Sequence, residues 1–136
     1  MNEEIMQYQV YKNQLEQIKE YQKQLETQKQ TIIGAIEALE EIKKTNKGTR
    51  ILAPIASGIF VESEISNTQE VVALTGANTV VKKTVPEIVE SLHKELENID
   101  RYKAEINMQK MQISNMVDMI QASLIAKKQE ERENKK

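Results

Sequence analysis

Residues 89–124 read VESLHKELENIDRYKAEINMQKMQISNMVDMIQASL. Alternate steps of three and four from Val89 land on Leu92, Leu96, Ile99, Lys103, Ile106, Lys110, Ile113, Val117, Ile120 and Leu124, and nine of these eleven stops are apolar. The same stepping from Tyr8 gives Tyr11, Leu15, Ile18, Gln22, Leu25, Lys29, Ile32, Ile36, Leu39 and Lys43, with eight of eleven apolar. In a chain that is 39% hydrophobic, chance would supply about four in each tract. Stops whose numbers sum to 131 or 132 pair Leu39 with Leu92, Ile32 with Ile99, Leu25 with Ile106 and Tyr11 with Ile120. The polar stops meet as well, Lys29 with Lys103 and Gln22 with Lys110. Apolar layers meeting apolar ones in reversed order are the signature of an antiparallel two-helix hairpin.

Composition supports a narrow seam rather than a globular core. The 136 residues hold one Phe, no Trp, four Gly and two Pro, and 29% are charged. No cysteine is present, so disulfides and thiolate ligands are excluded, which fits a reducing compartment. The opening MNEEIMQYQV lacks a basic start followed by an apolar stretch, and no run approaches the roughly 18 apolar residues that span a bilayer. The expectation is a cytoplasmic protein that does not engage membranes. The net charge of −2, with lysines interleaved among glutamates, argues against nucleic acid as a partner.

Four segments follow. Residues 1–46 read as a coiled-coil helix ending in Lys43 and Lys44, which suit the negative end of the helix dipole. Its length, about 60 Å at 1.5 Å per residue, requires a partner along the seam. Residues 47–84 change period from seven to two. Ile51-Leu52-Ala53-Pro54-Ile55, then Ile59, Val61 and Ile65 after Ser57-Gly58, then Val71-Val72-Ala73-Leu74, then Thr79-Val80-Val81 after Gly76-Ala77-Asn78, predict four short strands in two β-hairpins. Isolated hairpins are rarely stable in water, and apolar residues lie on both faces, so this segment reads as an oligomerisation module. Its candidate contact residues are Ile55, Ile59, Phe60, Val61, Ile65, Val71, Val72, Leu74, Val80 and Val81. Thr84-Val85-Pro86-Glu87 has the form of a capping box, opening a second coiled-coil helix over 85–127. Residues 128–136 are read as a charged flexible tail.

No catalytic constellation is visible, and the expectation is that the chain is not an enzyme and has no cofactor. His93 is the only histidine and lies off the seam, so a structural zinc site lacks ligands. Neither Lys47-Gly48 nor Gly76 through Lys83 gives the glycine–lysine spacing that cradles phosphates. Glu37, Glu40 and Glu41 form the densest carboxylate group, and on an exposed helix such groups are solvating charges.

Leu52-Ala53-Pro54-Ile55-Ala56-Ser57-Gly58-Ile59-Phe60-Val61 resembles the central segment of the α-class subunit of archaeal prefoldin, with its L-x-P-[LIV]-[GA]-x-G-x-[FV] pattern. The likeness continues through Val71-Val72-Ala73-Leu74-Thr75-Gly76-Ala77 into Val80-Val81-Lys82-Lys83, and it covers the whole helix, two hairpins, helix order. Ile55-Ala56 departs from the glycine-bearing turn of the family. Two hairpins rather than one mark the α class. The resemblance implies a hexamer of two α and four prefoldin β subunits whose hairpins form an intersubunit β-barrel. It also implies an ATP-independent co-chaperone that holds unfolded client proteins at the coiled-coil tips and passes them to a group II chaperonin. A γ-type relative would instead build a structural filament or scaffold through the same segment. A simple coiled-coil adaptor leaves the insert unexplained.

On that resemblance, the client-binding tip comprises Met1, Ile5, Met6, Tyr8 and Val10 with Met116, Met119, Ile120, Leu124 and Ile125. All six methionines, including Met108 and Met111, fall in the tip-side half of the two helices, and methionine adapts to many partner shapes. The polar stops Gln22, Lys29, Lys103 and Lys110 mark a mid-seam region that fixes register and flexes, with Glu26 and Asp100 near enough to neutralise part of its charge.

Overall fold

The computed structural model describes residues 2–134, in the order α1 (Asn2–Lys44), β1 (Arg50–Ala56), β2 (Ile59–Glu64), β3 (Glu70–Leu74), β4 (Val80–Thr84) and α2 (Val85–Asn134). The chain falls into two compact units, Met1–Gln28 with Asn98–Lys136, and Lys29–Glu97.

In the first unit two helical segments run antiparallel. Lys103 Nζ donates to Glu26 Oε2 at 2.7 Å and Lys127 Nζ to Glu4 Oε1 at 2.7 Å, so ascending numbers on α1 meet descending numbers on α2. Leu25, Ile99, Ile106 and Val117 are buried, and Tyr8, Tyr11, Leu15, Ile18, Ile113, Ile120 and Leu124 are partly covered. Every heptad stop of this unit from Tyr8 to Leu25 on α1, and from Ile99 to Leu124 on α2, is shielded to some degree, while the positions between them are mostly exposed. The polar stops Gln22, Lys103 and Lys110 are likewise partly covered. Helix α2 continues to Asn134, seven residues beyond the expected end at Lys127. The segment read as a flexible tail is helical over residues 128–134, because Lys, Gln, Glu and Arg are all good helix formers.

The second unit holds the end of α1, both hairpins and the start of α2. On α1 the stops Lys29, Ile32, Ile36 and Leu39 are shielded here, with Glu40 also partly covered, but at the end of the helix Ile42 is covered while the stop Lys43 is exposed. Thr45 closes the helix, its N–H and hydroxyl both donating to the Ile42 carbonyl. Gly48 then takes φ 89° and donates to the Ile65 carbonyl at 2.7 Å, while the Ile65 N–H donates to the Thr49 carbonyl at 2.9 Å. These two bonds clamp the exit of α1 onto the end of the first hairpin.

Strands β1 and β2 pair antiparallel from Arg50 opposite Glu64 to Pro54 opposite Phe60. The register then jumps to Ala56 opposite Ile59, a bulge that leaves Ile55 without a partner. Gly58 turns the hairpin at φ 77°, a conformation that L side chains rarely adopt. Asn67 Oδ1 accepts from the Gln69 and Glu70 N–H groups at 2.9 and 3.0 Å, launching β3. Strands β3 and β4 pair from Glu70 opposite Thr84 to Leu74 opposite Val80, around a turn in which Asn78 sits at φ 57°. The Val85 N–H donates to the Gln69 carbonyl at 2.9 Å, and Val85 is almost fully buried. One residue earlier, Thr84 Oγ1 accepts from the Glu87 N–H at 3.3 Å, the expected N-cap of α2. The two hairpins form separate two-stranded sheets.

Candidate functional site

Two apolar surfaces stand open, one in each unit. In the first unit, heptad geometry assigns the inward stops to the seam and leaves the other helical faces to solvent. Ile5, Met6 and Val10 on α1, and Met116, Met119 and Ile125 on α2, are exposed, as are Met108 and Met111. Tyr8, Ile120 and Leu124, also expected at this surface, lie in the seam and are only partly accessible. Lys12 Nζ stands 5.7 Å from the centre of the Tyr8 ring. Met1 lies outside the described residues.

Charge closes the seam at this end. Glu4 is the heptad stop before Tyr8 and Lys127 the stop after Leu124, and their numbers sum to 131 like the apolar layers. The hydrogen bond from Lys127, aided by the Ser123 hydroxyl, holds the Glu4 carboxyl below the usual carboxylate range. Sequence reasoning missed this layer because charged residues near a chain end read as surface. The signal was there, however: the heptad count extends by one stop in each direction. Further along, Glu26 raises the Lys103 ammonium above its ordinary value, with Asp100 contributing from one turn away. A shallow groove beside this ion pair is lined by Gln22, Glu26, Lys103, Ala104 and Asn107.

In the second unit both hairpins present apolar side chains to solvent. On β1 and β2 the two faces are alike, with Leu52 and Phe60 exposed on one and Ile51 and Val61 on the other. Ile55, the bulged residue, and Ile59, which pairs with Ala56 beside it, are also exposed. On β3 and β4 the faces differ. Val72, Leu74 and Val80 lie open, whereas Val71, Ala73 and Val81 are partly covered, as is Ile65 after β2. Ile51 and Leu52 were not among the expected contact residues, although both belong to the apolar run that opens β1. Fully burying one such side chain is worth roughly 1.5–3 kcal/mol. Nine of them in two sheets that are marginal in isolation make a strong drive toward association.

Among the described residues, no helix is long and apolar enough to cross a membrane, and no cluster of three or more His, Asp or Glu side chains is placed to hold a metal ion.

Comparison with known proteins identifies the family and the fold. The family pattern described as Prefoldin subunit matches residues 11–130. The chain is 26% identical to prefoldin subunit alpha of Methanococcus aeolicus over 133 residues, covering 95% of this chain and 90% of that protein. It is 25% identical to the Methanococcus vannielii alpha subunit over 128 residues, covering 91% and 86%. In structure it is similar to a chain of filamentous PFD from Methanocaldococcus jannaschii solved by cryo-electron microscopy. There the TM-score is 0.77 at 18% identity, covering 90% of this chain and 99% of that one. Paired long helices, two hairpins, a heptad seam and a family pattern spanning most of the sequence converge, and the chain belongs to the prefoldin subunit family of molecular chaperones.

Proposed function

We propose that this chain is an ATP-independent holdase subunit that captures unfolded proteins on the outer helix faces near Glu4 and Lys127 and delivers them to a group II chaperonin. The carrying observation is the set of exposed methionines and aliphatic residues outside a seam that is already complete. Apolar side chains with no intramolecular partner, rich in flexible thioethers, suit clients of varied shape. The hairpins join it to prefoldin β subunits, two α with four β, in the cytoplasm. Their contact residues are Ile55, Ile59, Phe60, Val61, Val72, Leu74 and Val80, with Ile65, Val71 and Val81 on the more sheltered side.

A second reading, a filament or scaffold subunit that self-assembles through the same hairpins, is favoured by the fold it shares with a filamentous prefoldin. The native mass of the tagged chain, purified from its own cells without nucleotide, separates the two. Two copies with four of a shorter single-hairpin subunit are expected; a ladder of homo-oligomers would favour the filament. For the client surface, replacing Met6, Val10, Met116 and Met119 with Ser should leave that mass unchanged and abolish suppression of client aggregation. Undiminished suppression would refute the assignment.

A further inference from the structure

The chain contains sulfur only as methionine, since it has six Met and no Cys. Five of the six are described and exposed: Met6 by 66%, Met108 by 64%, Met111 by 60%, Met116 by 43% and Met119 by 68%. None occupies a heptad stop. Met108, Met111 and Met119 share the face of α2 turned away from the seam, at successive spacings of three and eight residues. The seam itself is built of Leu, Ile, Val and Tyr, side chains without sulfur, together with a few polar layers. Oxidisable atoms and structural atoms are therefore separated on the same two helices.

We infer that these methionines are a reversible oxidation site, at which peroxide converts the client-binding surface from apolar to polar without unfolding the coiled coil. In the forward step the thioether sulfur donates an electron pair to one peroxide oxygen and the O–O bond breaks. That oxygen stays on sulfur as the sulfoxide, and the other leaves as water. Sulfur is oxidised by two electrons and hydrogen peroxide is reduced by the same two. In the reverse step a methionine sulfoxide reductase removes the oxygen as water while two of its thiols close to a disulfide. Each sulfoxide replaces a polarisable apolar atom with a strong hydrogen-bond acceptor that water solvates well. An apolar client segment must then displace that water to bind. In most proteins oxidation of a buried methionine also disrupts packing. Here the sulfur atoms face solvent, so fold and surface chemistry respond separately.

This inference rests on the holdase reading, and one experiment distinguishes the two. The assembled complex is treated with hydrogen peroxide, and intact and peptide masses report oxygen added at each methionine. Helicity, assembly mass and suppression of client aggregation are then compared before oxidation, after it, and after incubation with methionine sulfoxide reductases and dithiothreitol. A variant with Met6, Met108, Met111, Met116 and Met119 all changed to Leu, which keeps volume and helix propensity, serves as the control in which only Met1 can still form a sulfoxide. The expected result is unchanged helicity and assembly mass, with apparent client affinity falling roughly tenfold, equivalent to about 1.4 kcal/mol. The reductases restore the affinity, and peroxide leaves the Leu variant at its own untreated value, whatever that value is. Equal suppression by oxidised and reduced protein overturns the inference and leaves the holdase reading standing. So does an equal loss in the Leu variant, which would place the damage elsewhere. No suppression by the untreated complex overturns both.

Discussion

Lys127 Nζ and Glu4 Oε1 lie 2.7 Å apart although 123 positions separate them in the chain, and they form the last layer of the seam. Lys127 holds the Glu4 carboxyl below its ordinary value of 4.5. A depressed carboxyl contributes stability that is present above that ordinary value and is lost as pH falls through the lower folded value. Ends of the two helices should therefore fray in acid below about pH 4.5, and in strong salt near neutrality, where the screening length shrinks to about 3 Å at 1 M. Glu4→Gln should remove the acid component at this end. Residue-resolved NMR shifts over residues 2–8 and 123–130 provide the check; identical titration of the two proteins there would contradict the assignment.

Lys103 is a partly covered charge at a seam stop, relieved by Glu26 at 2.7 Å. Replacing it with Leu exchanges a polar layer for an apolar one, and the coiled coil should gain about 1 kcal/mol in urea or thermal unfolding. Lys103→Glu would face Glu26 and Asp100 with a like charge and should lose a similar amount. In the wild type, the raised Lys103 ammonium contributes stability that is complete below its ordinary value of 10.5 and disappears as pH rises through the folded value above it. If the layer also flexes, amide exchange over residues 103–110 should be faster than on either side, and Lys103→Leu should slow it. Uniform protection in both proteins would exclude flexing.

Leu25 is only 4% exposed, in contrast to Met119 one helix away. Leu25→Ala should destabilise the coiled coil by about 2–3 kcal/mol, a large share of a typical folding margin of roughly 5–15 kcal/mol. Met119→Ala should stay within about 0.5 kcal/mol while weakening client capture. Chemical denaturation followed by circular dichroism measures the first effect and an aggregation assay the second.

Two glycines make an opposed pair. Gly34 lies inside α1 with nothing within 4 Å of an added Cβ, so Gly34→Ala should raise stability by about 0.5–1 kcal/mol through helix propensity. Gly58 has equal room but sits at φ 77° in the first hairpin turn, and Gly58→Val should cost about 1–3 kcal/mol of hairpin stability. The loss should appear as dissociation of the assembly on dilution, with helix content intact in the Gly34 variant. Equal behaviour of the two variants would show that backbone conformation at Gly58 is not limiting.

The seam was readable because its signal is local: Leu25, Ile106 and Val117 declare themselves by spacing alone, and reversed pairing follows from arithmetic. Strands were readable for a similar reason, since Gly58, Asn67 and Asn78 mark the turns. What escaped was decided by competition between equal local preferences. Residues 128–134 are both highly charged and strongly helix-forming, and helix propensity won. Lys43 kept the strict seven-residue count, but a 3.6-residue helix drifts against it and Ile42 took the covered position instead. Tyr8, Ile120 and Leu124 were counted both as seam stops and as part of the binding surface, and in the structure the seam leaves them only partly accessible. The openness of Ile51 and Leu52 was hidden because an apolar run does not reveal whether its cover comes from the same chain.

The hairpins carry a consequence for the subunit's own life history. Until another chain covers them, Leu52, Phe60, Leu74 and Val80 present apolar side chains on short strands with open edges, the same chemistry as a protein that has not finished folding. A newly made copy is thus, to any chaperone or protease nearby, a client. On the assembly proposed above, its survival depends on meeting partners before it meets the degradation machinery, and the supply of those partners would set how much of it the cell can keep.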